Sequence, residues 1–435
     1  MSQPRFVFPW LKCVVCALSL LGPAVLVNAA ENSLLGGAAR VDITPTAPVM
    51  LAGYESRKDP SQGVHDPLSA RALAFQQEGK HLVLVSIDSL GFYNQTAEPL
   101  RNVILAECHL QPSELFLSAI HTHSAPTLTL DPMKGYSNNV AYTEMLKTQL
   151  VQLVRQALEK ASPVKIQLGT GSSPVGVNRR ELSHDQAGNP KIALGRNPSI
   201  PIDREVQVLK VINTDTQATA ALLFDYGTHS TSLGPHNYLI SGDVHGLAEQ
   251  FVERYLGPGV VAPGFAGASG NVDPWYRVLP EFRTTNGWIP EPVLLGTMLG
   301  EEVIHASEDI SKEDAGGIVL TAFKTLVLSG KPQDELVMTT NCPPTALNLT
   351  VGRIGQVAFV GLGGEVFNEI GRAIKSASPF PYTVVITHCN GAAGYLPIRS
   401  AYLEGGYEVR SSRFAPDAAE QVIHEAVRML NALGP

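Results

Sequence analysis

The chain has 435 residues, 44% of them hydrophobic and 17% charged, which excludes a disordered protein and suits one large domain or two ordinary ones. Forty acidic residues against 32 basic give a formal net charge of −8, which argues against a nucleic-acid partner.

At the start, Arg5 and Lys12 precede an apolar run from Cys13 to Val27, and Val27-Asn-Ala29-Ala30 supplies the small residues a signal peptidase prefers. A signal peptide over residues 1–30 is expected, cut after Ala29 or Ala30, with a secreted or periplasmic mature protein. Gly22-Pro23 interrupts the run, which disfavours a permanent anchor. Without the leader, 30 basic residues face 40 acidic ones, and Cys108, Cys342 and Cys389 remain. At most one disulfide can form among them, and the pairing put forward is Cys342 with Cys389.

Further along, His81 to Asp88 and Leu115 to Ile120 are apolar runs that predict buried strands. The second leads into Ser118-Ala-Ile-His-Thr-His-Ser-Ala-Pro126. Residues two apart on extended backbone share a side, so His121 and His123 can face one point. The spacing alone fits either metal ligands or ordinary loop histidines. Leu146, Leu150, Leu153, Ala157 and Leu158 recur at helical spacing. After a turn at residues 213–219, a strand over Ala220 to Tyr226 runs into Gly227-Thr-His229. A helix carrying Leu247, Phe251 and Tyr255 follows, with Asp243 as its candidate cap. The strand Gln356 to Leu362 leads to Gly363-Gly-Glu365 and a helical stretch from Val366 to Lys375. The strand Thr383 to Thr387 leads to Asn390-Gly-Ala-Ala-Gly-Tyr395, and a helix bearing Val422, Ala426, Met429 and Leu433 closes the chain.

These elements predict an α/β (or α+β) protein: a single large domain over residues 31–435, built around a mostly buried mixed sheet, with its site at the C-terminal ends of strands. Two histidines, a glutamate and one further oxygen make a sensible zinc set. Taken singly, Glu365 reads equally as a first-turn carboxylate favoured by the helix dipole, His229 as a loop histidine and Tyr395 as a packed aromatic.

Several separated motifs join these residues: Ala39-Arg-Val-Asp-Ile-Thr-Pro45, His121-Thr-His-Ser-Ala-Pro126, Gly176-Val-Asn-Arg-Arg180, Thr228-His-Ser-Thr231, Gly270-Asn-Val-Asp-Pro274, Gly364-Glu365, and the pair Tyr395 and Tyr407. With them, the chain resembles the neutral/alkaline non-lysosomal ceramidase family, zinc amidases of sphingolipid metabolism that cut the N-acyl bond of ceramide. The resemblance implies one zinc per chain, held by His121, His229, Glu365 and Tyr395. It places His123 against the substrate, and Arg179 and Tyr407 in the wall of the site.

Two departures from the family pattern bear on mechanism. Asp273 stands where the family has a serine often assigned as nucleophile, and the family's further C-terminal β-sandwich domain is not expected here. The function implied is hydrolysis of an N-acyl amide, ceramide-like or another small-molecule or lipid substrate, by a zinc-activated water. Zinc in such a site brings the pKa of water toward about 7 and polarises a carbonyl, so no serine is needed. Asp273 then acts as general base or proton carrier, or only forms a turn. An esterase or lactonase using the same site and a catalytically silent binding protein are the alternatives, and peripheral membrane contact stays open.

Overall fold

A computed structural model describes residues 33–276, 291–310, 312–314, 317–333 and 341–434. The leader-like segment 1–30 lies outside the described residues. The main elements in chain order are β1 (Leu35–Asp42), β2 (Ser69–Gln77), β3 (Lys80–Ile87), α1 (Ala97–Glu107), β4 (Leu115–Ala119), α2 (Ser137–Glu159), β5 (Ser162–Ser172), β6 (Glu205–Asn213), β7 (Thr219–Tyr226), α3 (Asp243–Leu256), β8 (Gly264–Ala266), α4 (Glu291–Glu308), β9 (Val319–Leu328), β10 (Thr345–Ile354), β11 (Val357–Leu362), α5 (Asn368–Ala377), β12 (Tyr382–Ile386) and α6 (Ala418–Leu433).

The expected mixed, largely buried sheet is present, in the order β8-β7-β6-β5-β1-β2-β3-β4, with Lys312–Asp314 paired beside β5. Its pairs β3–β4 and β7–β8 are parallel and the others antiparallel, including the β6–β7 hairpin that turns at residues 213–219. A second sheet, β9-β10-β11-β12, is stacked on the first, and β11–β12 is its parallel pair.

Strand β2 shows how its sequence selects the layers. Its larger apolar residues Leu73 and Phe75 point inward to meet Phe359, Val384 and Ile386 of the second sheet. Its alternate residues Ala70, Ala72 and Ala74 leave room on the opposite face for Leu146, Leu150 and Leu153 of α2. Helices α3 and α4 cover β6 and β7 in the same way, and α5 and α6 cover the outer face of the second sheet. The result is four layers, helix–sheet–sheet–helix, with the central strands of both sheets buried on both faces and the edge strand β9 partly exposed. Among the described residues no helix is long and apolar enough to cross a membrane.

At one end the sheets are tied together. Asn390 receives a backbone N–H bond from Leu117, donates its own N–H to the Leu117 carbonyl and its amide to Leu115, which anchors the segment after β12 to β4. This leaves the C-terminal ends of β4, β7, β11 and β12 facing one region.

Two local expectations are corrected. Cys342 and Cys389 form no disulfide: Cys108, Cys342 and Cys389 are all thiols. Cys389 is sealed between the sheets beside Gly361, whereas Cys342 pairs its backbone with Lys331 at the margin of the second sheet. Asp243 is not the cap of α3, which is Gly242. Its carboxylate instead accepts the N–H groups of Ser232, Leu233 and Val244, so it fixes the loop that follows His229.

Candidate active site

His121 lies just past β4 with φ +59, a conformation uncommon outside glycine that swings its ring away from the strand direction. Its Nδ1–H donates to the Leu90 carbonyl at 2.6 Å. Because a carbonyl can only accept, that bond puts the proton on Nδ1 and leaves Nε2 as a bare lone pair. His229, past β7, is fixed in the same way, its Nδ1 bonded to the carbonyls of Ser269 at 2.9 Å and Val272 at 3.0 Å. The two imidazole planes meet almost edge to face, with centroids 4.6 Å apart.

Glu365 comes from the second sheet. It belongs to a two-residue strand, Glu365–Val366, that pairs in parallel with Tyr395–Leu396, so Glu365 stands opposite Tyr395. The helix after it begins only at Asn368, which removes the reading of Glu365 as a first-turn carboxylate. Its Oε2 lies 3.4 Å from His121 Nε2 and 3.6 Å from His229 Nε2, is buried, and has no hydrogen-bond partner. Burial raises this carboxyl group, and it takes positive charge at His121 and His229 to outweigh it and hold Glu365 well below the usual carboxylate range.

His123 extends the cluster, its Nε2 3.4 Å from His121 Nε2, and the ligand atoms of His121, His123 and His229 all lie within 4.8 Å of one another. Burial, reinforced by the other two imidazoles, keeps His123 neutral. Gly53, with φ +94, lies flat against this ring. A Cβ there would come within 2.3 Å of His123 Nδ1.

Arg179 forms the opposite wall. It donates from Nη1 to His229 Nε2 and to Asp273 Oδ1, both at 3.1 Å, from Nη2 to the Tyr395 hydroxyl at 3.0 Å, and from Nε to Glu408 at 2.8 Å. Asp273 is gripped on its other oxygen by Arg196 Nη1 at 3.1 Å. Burial works against its charge, but Arg179, His229 and Arg196 prevail and hold it below the ordinary aspartate value. Tyr407 packs edge-on to Tyr395, with centroids 5.6 Å apart, and is 42% exposed at the mouth.

The eight residues singled out in the sequence are therefore brought to one place, although they span His121–Tyr407 in sequence. Sequence reasoning missed four that share it. Tyr93 donates to Glu365 Oε1 at 2.5 Å, and His388 stacks on His121 at 3.9 Å with its Nε2 buried and unpartnered. Glu408 is fully buried and bridges Arg179 and Arg180, and Arg196 completes the hold on Asp273. Tyr93 and His388 also follow strand ends, the signal that picked out His121.

The donor set fits a metal ion. Two imidazoles are locked in the tautomer that leaves Nε2 unprotonated, His229 Nε2 accepting only from Arg179, a carboxylate oxygen with no hydrogen-bond partner lies between them, and each ligand is itself hydrogen-bonded from behind.

Comparison with known proteins places this geometry. Residues 34–271 match the family model described as neutral/alkaline non-lysosomal ceramidase, N-terminal. The neutral ceramidase B of Dictyostelium discoideum is 28% identical over 256 residues, 56% of this chain and 35% of that protein. The neutral ceramidase of Oryza sativa subsp. japonica is 26% identical over 259 residues, 57% of this chain and 32% of that protein. The chain thus spans about a third of the length of the curated relatives it matches. The crystal structure of neutral ceramidase from Pseudomonas aeruginosa superimposes with a TM-score of 0.75 at 20% identity, covering 93% of this chain and 75% of that one, so the two share a fold. The chain belongs to the neutral/alkaline non-lysosomal ceramidase family.

Proposed function

We propose that the protein is an exported, zinc-dependent hydrolase of an N-acyl amide bond, acting on ceramide or a related N-acyl lipid. The observation that carries this reading is the position of Glu365 Oε2, a buried carboxylate oxygen with no hydrogen-bond partner, between two unprotonated imidazole nitrogens. Such an atom is costly to bury without a partner, and a divalent cation satisfies it. His121, His229 and Glu365 would hold the zinc, with Tyr395 as the fourth ligand once its hydroxyl turns from Arg179. Zinc bound there supplies a Lewis acid for the acyl carbonyl and lowers the pKa of water toward neutrality.

The remaining steps belong to the chain's own side chains. His123, neutral and part-exposed beside His121, donates Nε2–H to the oxygen of the carbonyl as negative charge develops on it. Arg179 is held by the carboxylates of Asp273 and Glu408, so its guanidinium stays in place when the Tyr395 hydroxyl turns away. Asp273 positions Arg179: a carboxylate held low by two guanidinium groups has a pKa poorly matched to proton transfer near neutrality. Tyr407 at the mouth contacts the incoming chain.

The test is a panel of N-acyl amides, including ceramide, beside matched esters, each assayed with and without a chelator. Chelator-sensitive cleavage of amides is expected. Cleavage indifferent to chelation, or confined to esters, would refute the proposal.

A further inference from the structure

The ligands reach the site from two different sheets, and one loop touches both. Residues 88–96, between β3 and α1, accept the Nδ1–H of His121 at the Leu90 carbonyl and the backbone N–H of Thr122 at the Ser89 carbonyl, 3.2 Å away. The same loop sends the Tyr93 hydroxyl to Glu365 Oε1 at 2.5 Å. Its shape is closely specified. Asn94 and Gln95 are both left-handed, with φ of 53° and 62°. Two successive non-glycine residues in that region are strained, so the surroundings must enforce them. Asn94 Nδ2 donates to the Leu128 carbonyl at 2.9 Å, and Thr96 donates from N and Oγ1 to the Tyr93 carbonyl at 3.1 and 2.7 Å. The turn sends the exposed Asn94 and Gln95 outward and Tyr93 toward the site.

We infer that Tyr93 is a positioning residue for Glu365: its hydroxyl occupies Oε1, fixes the carboxylate torsion and leaves Oε2 alone to face His121 and His229. This rests on the zinc reading above. A carboxylate without that bond is free to rotate or to offer both oxygens, and an oriented ligand is replaced by one that must be ordered on binding.

The experiment is a chelator-competition titration of zinc, with folding of each metal-free variant followed by its thermal melt. Tyr93→Phe removes the donor and keeps the ring, and Tyr93→Leu is a second donor-less variant in case the first does not fold. Zinc affinity is expected to fall about 10- to 100-fold in either. The visible spectrum of the cobalt-substituted protein should shift as the carboxylate changes its mode of binding. In a Glu365→Gln background the same Tyr93 change should have almost no further effect, because both changes act on one group. Unaltered zinc affinity in folded Tyr93 variants, or an equal loss with and without Glu365, would overturn the inference while leaving the zinc site standing. A wild-type protein that binds no zinc would remove both.

Discussion

Asp273→Asn separates a positioning carboxylate from a proton carrier. In the wild type Asp273 accepts one bond from Arg179 and one from Arg196, both 3.1 Å and both charge-assisted. The amide keeps a single acceptor and turns an NH2 toward the other guanidinium. With charge-assisted bonds worth about 1.5–3 kcal/mol each, the variant should be less stable by about 3 kcal/mol. If about 2 kcal/mol of this falls on the placement of Arg179, kcat/KM drops about 30-fold, with zinc content unchanged. The pH dependence fixes the sign. Asp273 is depressed in the fold, so its stabilisation is fully present above the unfolded value of 3.8 and is lost as pH falls through the lower folded value. The stability deficit of the variant should therefore be constant at neutral pH and narrow in acid. Its kcat/KM profile should keep the wild-type shape at a lower level. Denaturant unfolding and a pH–rate series would check this. Loss of one limb of the profile near neutral pH would mean that Asp273 carries a proton, and unchanged rate and stability would reduce it to a turn former.

Three further outcomes are expected. Gly53→Ala places a methyl group against His123 at a left-handed backbone position, so kcat/KM should fall about 100-fold while zinc stays bound; loss of zinc as well would make His123 a ligand. Burial lowers His245 from 6.5 to about 4, so as pH falls through that window the unfolded chain takes up a proton that the fold refuses. The fold then loses up to about 3 kcal/mol, and His245→Gln should remove that slope; the comparison isolates it from Asp243, which burial raises to about 6 and which acts in the opposite sense. Mass spectrometry of the native protein should find a mature terminus at Ala30 or Glu31, and an intact Met1 would refute export.

Much of this architecture was legible in the sequence because the buried strands are short, nearly continuous apolar runs and the ligand-type residues stand just past them. Leu115 to Ile120 and Gln356 to Leu362 are examples, observed as Leu115–Ala119 and Val357–Leu362. The division into two stacked sheets was not legible, since strands buried on both faces look alike whichever sheet they join. Resemblance brought in Arg179 and Tyr407, whose spacing alone carries no chemistry. Glu408 was hidden for a different reason: it lies in a five-residue helix, and only the fold shows that it is wholly buried between Arg179 and Arg180. Tyr93 and His388 were missed although they obey the strand-end rule, because a tyrosine after Gly91-Phe92 and a histidine before Cys389 read as packing residues until the second sheet brings Glu365 beside them.

The zinc content of the purified protein, set against that of the His121→Ala/His229→Ala double variant, tests the central claim most directly. The wild type should hold about one zinc per chain and the folded double variant none, since a catalytic metal is not the main source of stability in a domain of this size. Full zinc occupancy in the double variant, or a wild type that carries no zinc after growth with the metal supplied, would contradict the site as built from His121, His229 and Glu365.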